Sequence, residues 1–180
     1  MAMLQFSPNV VAAEEACVLV DVSTTLRLFG GARKLRRRML DTVQAMGFSA
    51  AVGSAPTAQG GWLLARAGGG TALTMISLQR QLTHLPLNLL PTARPFAEWF
   101  DGLGCRTLED LRRLPRAGLQ RRCGADMLEA LDRAYGERRK CSSGPKHRLL
   151  SIPRWTCLAS RMPNRRLPTS AACWCRWLDG

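Results

Sequence analysis

An α+β fold is predicted from three observations. Val18–Val22 (VLVDV) is a short, apolar, β-branched run, Ala32–Met46 is strongly amphipathic, and after Gly68-Gly69-Gly70 the composition becomes charged and helical. A run of the first kind reads as a buried strand, and apolar residues returning every three or four positions read as one helix face. With 180 residues and an apolar fraction of 46%, the chain fits one domain or two small ones around a real core. Its formal net charge of +13 favours a polyanionic partner, because Lys and Arg that neutralise phosphates release counterions. An anionic membrane surface would attract the same charge. No uninterrupted apolar stretch approaches the roughly 18 residues of a membrane span, and Met1–Pro8 lacks a basic segment ahead of an apolar run. A cytoplasmic location is therefore expected.

The elements follow in order. After the Val18–Val22 strand, Leu28-Phe29-Gly30-Gly31 is a turn. Leu35, Met39, Val43 and Met46 share one face of the Ala32–Met46 helix, while Arg33, Lys34, Arg36, Arg37 and Arg38 crowd its first two turns. Gly47 stands where a helix C-cap glycine belongs. Phe48–Ala55 is a strand of small residues, and Thr57–Ala67 is a shorter helix, giving strand, helix, strand, helix. A transitional segment leads to helices over Pro95–Gly102, Thr107–Leu114, Gly118–Cys123 and Ala125–Ala134, with Thr107 and Asp110 as a capping-box variant and Pro115 as a break. The organisation expected is an α/β region over 1–80, an all-α module over 81–140 and a basic tail over 141–180.

The tail carries seven Lys and Arg against the single acid Asp179, four prolines and no clear period. It is expected to lie outside the folded unit, so that trypsin leaves a stable core ending near Arg138–Lys140. The seven cysteines are irregularly spaced, with one C-x-C pair (Cys173, Cys175) and no C-x-x-C. They read as reduced thiols, and no metal or cofactor is expected.

Three motifs in order carry a resemblance. Phe6–Val22 (FSPNVVAAEEACVLVDV) fits without a gap the pattern Y-S-P-x-V followed by S-[IV]-D-E-A-Y-L-D-V. Leu26–Gly31 (LRLFGG) and Ser49–Arg66 (SAAVGSAPTAQGGWLLAR) follow at matching positions. Leu103–Leu111 (LGCRTLEDL), Leu114–Leu119 (LPRAGL) and Cys123-Gly124 are similar to L-G-[IV]-[RK]-T-[IL]-x-D-L, L-P-x-x-x-L and F-G. Over roughly Phe6–Lys140 the chain resembles the Y-family DNA polymerases, and within them the ImuB type. The resemblance implies a partial palm followed by a thumb with helix-hairpin-helix character near Leu89–Phe96. It also implies that the chain corresponds to an internal part of the family, after the first palm strand and before the little finger.

In working members the Asp-Glu pair holds two metal ions. That pair falls here on Ala16 and Cys17, which cannot supply the hard oxygen ligands magnesium demands. The family's Asn-Lys falls on Thr57-Ala58. The implied function is a DNA-repair accessory protein of SOS mutagenesis and translesion synthesis, a polymerase-like protein that is not an enzyme. The implied partners are DNA, a sliding clamp and an error-prone polymerase, although the family's clamp-binding peptide lies beyond the thumb. The implied DNA-binding residues are Arg94, near the expected hairpin, and Arg116, Arg121 and Arg122 on the thumb; no catalytic or metal residue is assigned.

Alternatives remain open. A register shift could bring Glu14 or Glu15 into the site and make the chain an active error-prone polymerase fragment; otherwise both are solvated loop acids. A truncated gene product without function is the third reading. The Arg33–Arg38 run reads either as a DNA-binding face or as the solvated back of its helix. His84 and His147 have no partners at ligand spacing, and Trp62, Trp99 and Phe100 read as core.

Overall fold

The computed structural model describes residues 3–137 and 155–160. Five strands form one mixed sheet: β1 (Val10–Ala13), β2 (Cys17–Asp21), β3 (Ala50–Ala55), β4 (Gly70–Thr71) and β5 (Trp155–Ser160), in the order β1-β2-β5-β3-β4. The helices are α1 (Ala32–Ala45), α2 (Ala58–Arg66), α3 (Met75–Thr83), α4 (Ala97–Gly102), α5 (Leu108–Arg113), α6 (Arg116–Cys123) and α7 (Ala125–Tyr135). Two 3-10 turns, Leu87–Leu89 and Pro91–Phe96, link α3 to α4. The α+β class expected from sequence is the class observed.

Alternation along the strands divides the core into two layers. Val18 and Val20 of β2, Val52 of β3 and Leu158 of β5 point to one face, where Leu35, Met39 and Val43 of α1 cover them together with Met3 and Phe6. Cys17, Ala55, Cys157 and Ala159 point to the other face, under Trp62, Leu63 and Leu64 of α2. The same apolar cluster continues outward from α2 through Leu78, Phe100, Leu108 and Leu119 to Met127 and Leu131. The sheet face and the helical half therefore share one core, and α3 spans the position near residue 80 where the sequence pattern changes.

Local chemistry sets the element ends. Gly47, at φ 82°, donates to Gln44 O at 2.9 Å and Phe48 N donates to Val43 O at 3.1 Å, the paired closure that ends α1. Thr107 and Asp110 form the complete reciprocal box at the start of α5, with Asp110 N on Thr107 Oγ1 at 3.2 Å and Thr107 N on Asp110 Oδ2 at 3.0 Å.

One expectation is corrected. Residues from Cys141 onward were expected outside the folded unit, yet 155–160 form the middle strand of the sheet. β5 runs antiparallel to both neighbours, placing Leu158 opposite Val18 on one side and Val52 on the other. The physical reason is that β2 and β3 both need a partner on their inner edges, and Thr156, Cys157, Leu158 and Ala159, all buried, supply it. The Ser54 and Thr156 hydroxyls, both buried, satisfy each other at 3.2 Å. The rest of the tail, including Cys141, Cys173, Cys175, Trp174, Trp177 and His147, lies outside the described residues, as do Arg138–Lys140.

Candidate functional site

The hairpin joining β1 to β2 sits at the centre of the site. Ala13 pairs with Cys17, leaving Glu14, Glu15 and Ala16 to make the reversal. Glu15 and Ala16 both take left-handed backbone, at φ 56° and 58°, a conformation that costs a residue with a Cβ about 1 kcal/mol or more. Neither is Gly, Asn or Asp, so the turn is held by its surroundings. Trp62 Nε1 donates to Glu14 O at 3.3 Å. Arg66 Nη2, at the last turn of α2, lies 2.6 Å from Glu15 Oε2, and Arg94 Nη1 donates to Glu15 Oε1. Arg94 is itself fixed by a bond from its Nε to Asn88 O at 2.9 Å. Arg66 stands over the Trp62 ring at 5.9 Å.

Glu15 is thus shared between two guanidinium groups. Burial pushes its carboxyl up, but the hydrogen bond from Arg94 and the charges of Arg66 and Arg94 outweigh burial, and the net pKa is lowered. A carboxyl lowered on folding adds stability that is complete above the unfolded glutamate pKa and is lost as pH falls through the folded value. Glu15→Gln is therefore expected to cost about 1 kcal/mol near neutrality, the upper end for a partly exposed pair. Urea unfolding of both proteins at falling pH should show the difference shrinking below about pH 4. A difference constant down to strong acid would mean that Glu15 gains nothing from its two arginines.

Ala16 and Cys17 stand where the polymerase pattern expects two carboxylates. Ala16 offers no ligand atom. Cys17 is fully buried and its thiol points to Glu15 O at 3.5 Å. Its neighbour Cys157 is held as a neutral thiol by its hydrogen bond with Cys17 and by burial. This donor set, a methyl group and a buried thiol, does not fit magnesium, which takes hard oxygen ligands. Glu15 is engaged by two cations. Glu14 forms no ion pair among the described residues and lines an open groove of about 380 Å³, floored by Leu19, Trp62 and Leu90 and rimmed by Asp126 and Arg133.

The four arginines expected to contact DNA lie on neighbouring elements but do not form one face. Arg94 is paired with Glu15. Arg116 grips both carboxylate oxygens of Asp132 through Nη2, at 2.9 and 2.8 Å. Arg121 and Arg122, at the far end of α6, are exposed, and Arg122 lies 5.9 Å from the Trp99 ring. At 3.6 residues per turn they stand about 140° and 240° round the helix from Arg116. The stretch expected to hold a helix-hairpin-helix, Leu89–Phe96, is largely the Pro91–Phe96 3-10 turn. On the opposite side of the sheet, Arg33, Lys34, Arg37 and Arg38 of α1 are exposed, and none of them forms an ion pair among the described residues. Trp62 and Phe100 are core, and Trp99 is half-buried against Phe100, with ring centroids 4.9 Å apart.

Arg66 and its meeting with Glu15 and Arg94 were not legible in the sequence. Arg94 and Glu15 are 79 positions apart, and no local spacing links them. The nearest signal was a single cation in the last turn of an otherwise uncharged helix. Comparison with protein-family models, with curated proteins and with solved structures finds no match.

Proposed function

We propose that this chain is a DNA-binding accessory protein of damage tolerance, built like the palm and thumb of a Y-family polymerase and without nucleotidyl transfer. The observation that carries the reading is the head of β2. The ungapped Phe6–Val22 motif puts the two metal-binding carboxylates on Ala16 and Cys17, and there the chain offers a methyl group and a buried thiol. Phosphoryl transfer needs charge stabilisation that neither side chain provides. The strand-helix-strand-helix order, with a helical half stacked on α2, is compatible with that architecture.

A primer-extension assay tests the reading. No templated extension is expected with magnesium or manganese. Extension that disappears on Glu14→Ala or Glu15→Ala would overturn it, because the register of the motif would then be wrong.

The charge of +13 supports the DNA half of the proposal. Contacts to phosphate position a protein without reading sequence. Binding to short duplexes is therefore expected to be insensitive to sequence and to weaken steeply with salt, with log K falling by about 0.9 per phosphate contacted for each unit of log salt. Arg121→Gln with Arg122→Gln should weaken binding equally on unrelated sequences. A strong preference for one duplex, or affinity unchanged between low and physiological salt, would count against it.

A further inference from the structure

The hairpin turn places a carboxylate where an anion from outside would fit. Arg66 and Arg94 come from different elements, the end of α2 and the Pro91–Phe96 turn, and converge on Glu15 alone. All three side chains reach solvent, at 29%, 42% and 23% exposure for Arg66, Arg94 and Glu15. The cluster is not saturated. Among the described residues, Arg66 Nε is buried without an acceptor, and Glu15 Oε2, although 2.6 Å from Arg66 Nη2, accepts no well-aligned hydrogen bond. A planar carboxylate meets one edge of each guanidinium, whereas a phosphate carries a further oxygen for the unfilled Nε–H. Glu15 also reaches the two guanidinium groups through left-handed backbone that its residue type disfavours. In a chain of charge +13, a lone acid between two arginines holds that cation pair away from polyanions.

We propose that Arg66 and Arg94 form a phosphate-binding cleft, and that Glu15 occupies it as an internal competitor which a DNA backbone phosphate must displace. This deepens the DNA-binding reading and rests on it. When a phosphate enters, the two guanidinium groups exchange one anion for another, and the turn carrying Glu15 is released to solvent. The contact is autoinhibitory, lowering affinity for isolated phosphates and sparing it for a strand whose other phosphates are already held.

The test compares the full chain with Glu15→Gln and Glu15→Gly, since glycine accepts the left-handed turn and keeps the experiment independent of backbone strain. Glu14→Gln, which changes the same charge one residue away, is the control. Binding to a short duplex at low salt is expected to tighten about 3- to 10-fold in both Glu15 variants, with the salt dependence steeper by about one phosphate contact. Glu14→Gln should change it by less than about 2-fold, the part due to net charge alone. Adding Arg66→Gln and Arg94→Gln to Glu15→Gly should abolish the gain. Equal tightening by Glu14→Gln, or a gain that survives loss of both arginines, overturns the cleft. If neither the parent nor any variant binds duplex, the DNA reading fails by itself, and inorganic phosphate decides the cleft. Phosphate should then raise the melting temperature of Glu15→Gly more than that of the parent, only while Arg66 and Arg94 are present. No such difference would overturn it.

Discussion

Truncation after Glu137 is expected to abolish the cooperative unfolding transition. The cut removes β5, which lies between β2 and β3 and pairs with both over Cys17–Asp21 and Ala50–Ala55. Those two strands would then face each other across an empty strand position, with buried peptide groups unpaired on both inner edges. Each such group costs about 1–3 kcal/mol, and a domain of this size has about 5–15 kcal/mol of stability to lose. The cut also takes Cys157, Leu158 and Ala159 out of the two core layers at once. A graded version is Leu158→Ala, at a position 2% exposed against Val18 and Val52, expected to cost about 2–5 kcal/mol. Urea unfolding followed by circular dichroism measures both. A truncated chain that unfolds with the full chain's midpoint and slope would show that the sheet closes without β5. Trypsin makes the same distinction: a core ending near residue 140 should not persist if β5 holds the sheet together.

The strand that matters most for that result was the least legible in the sequence. WTCLAS is six residues long and follows a segment of prolines and basic residues. Thr156, Cys157, Leu158 and Ala159 are buried on both faces of the sheet, so the alternation that exposes a half-buried strand is absent over them. Only its partners, more than a hundred positions earlier, reveal it as a strand. β1 is illegible in the sequence for the opposite reason. It is a four-residue edge strand with half its residues exposed, and its pairing depends on the Glu14–Ala16 turn. By contrast, α1, α2 and α5 were readable because their information is local. A 3.6-residue apolar stripe, a threonine cap and a terminal glycine each act within one or two turns. The site divides the same way. Glu14, Glu15, Ala16 and Cys17 are sequence neighbours and their turn is local, while the engagement of Arg94 and Arg116 by Glu15 and Asp132 is tertiary. Basic residues counted from sequence therefore overstate the charge free to meet a partner.

Gly53→Ala is expected to destabilise the protein by about 3 kcal/mol or more, at or above the usual range for overpacking. A Cβ at Gly53 would lie 2.2 Å from Gly61 O and 2.4 Å from Ala65 N. Both are backbone atoms of α2, so no rotamer change relieves the clash, and the helix must lift from β3 or the strand must bow. Either movement opens the layer in which Trp62, Leu63 and Leu64 are 4% exposed or less. Gly60→Ala is the informative comparison. Its Cβ would also be crowded, at 2.6 Å from Thr57 Oγ1 and 2.7 Å from Leu78 Cδ2, but these are side-chain atoms, and moving them costs the Thr57 cap of α2 and repacks Leu78 without parting the helix from the strand. Replacing a glycine in the first turn of α2 also recovers part of the ~1 kcal/mol of helix propensity. Gly60→Ala should therefore cost less than Gly53→Ala, about the 0.5–2 kcal/mol of a lost threonine cap. The same displacement reaches the candidate site, because α2 ends in Arg66, which meets Glu15 at 2.6 Å. Gly53→Ala should accordingly remove the acid-dependent part of stability that Glu15 contributes, a loss Gly60→Ala should not produce. Equal costs for the two substitutions, measured by urea unfolding, would mean that α2 does not rest on β3 through its backbone and that Arg66 is positioned by something else.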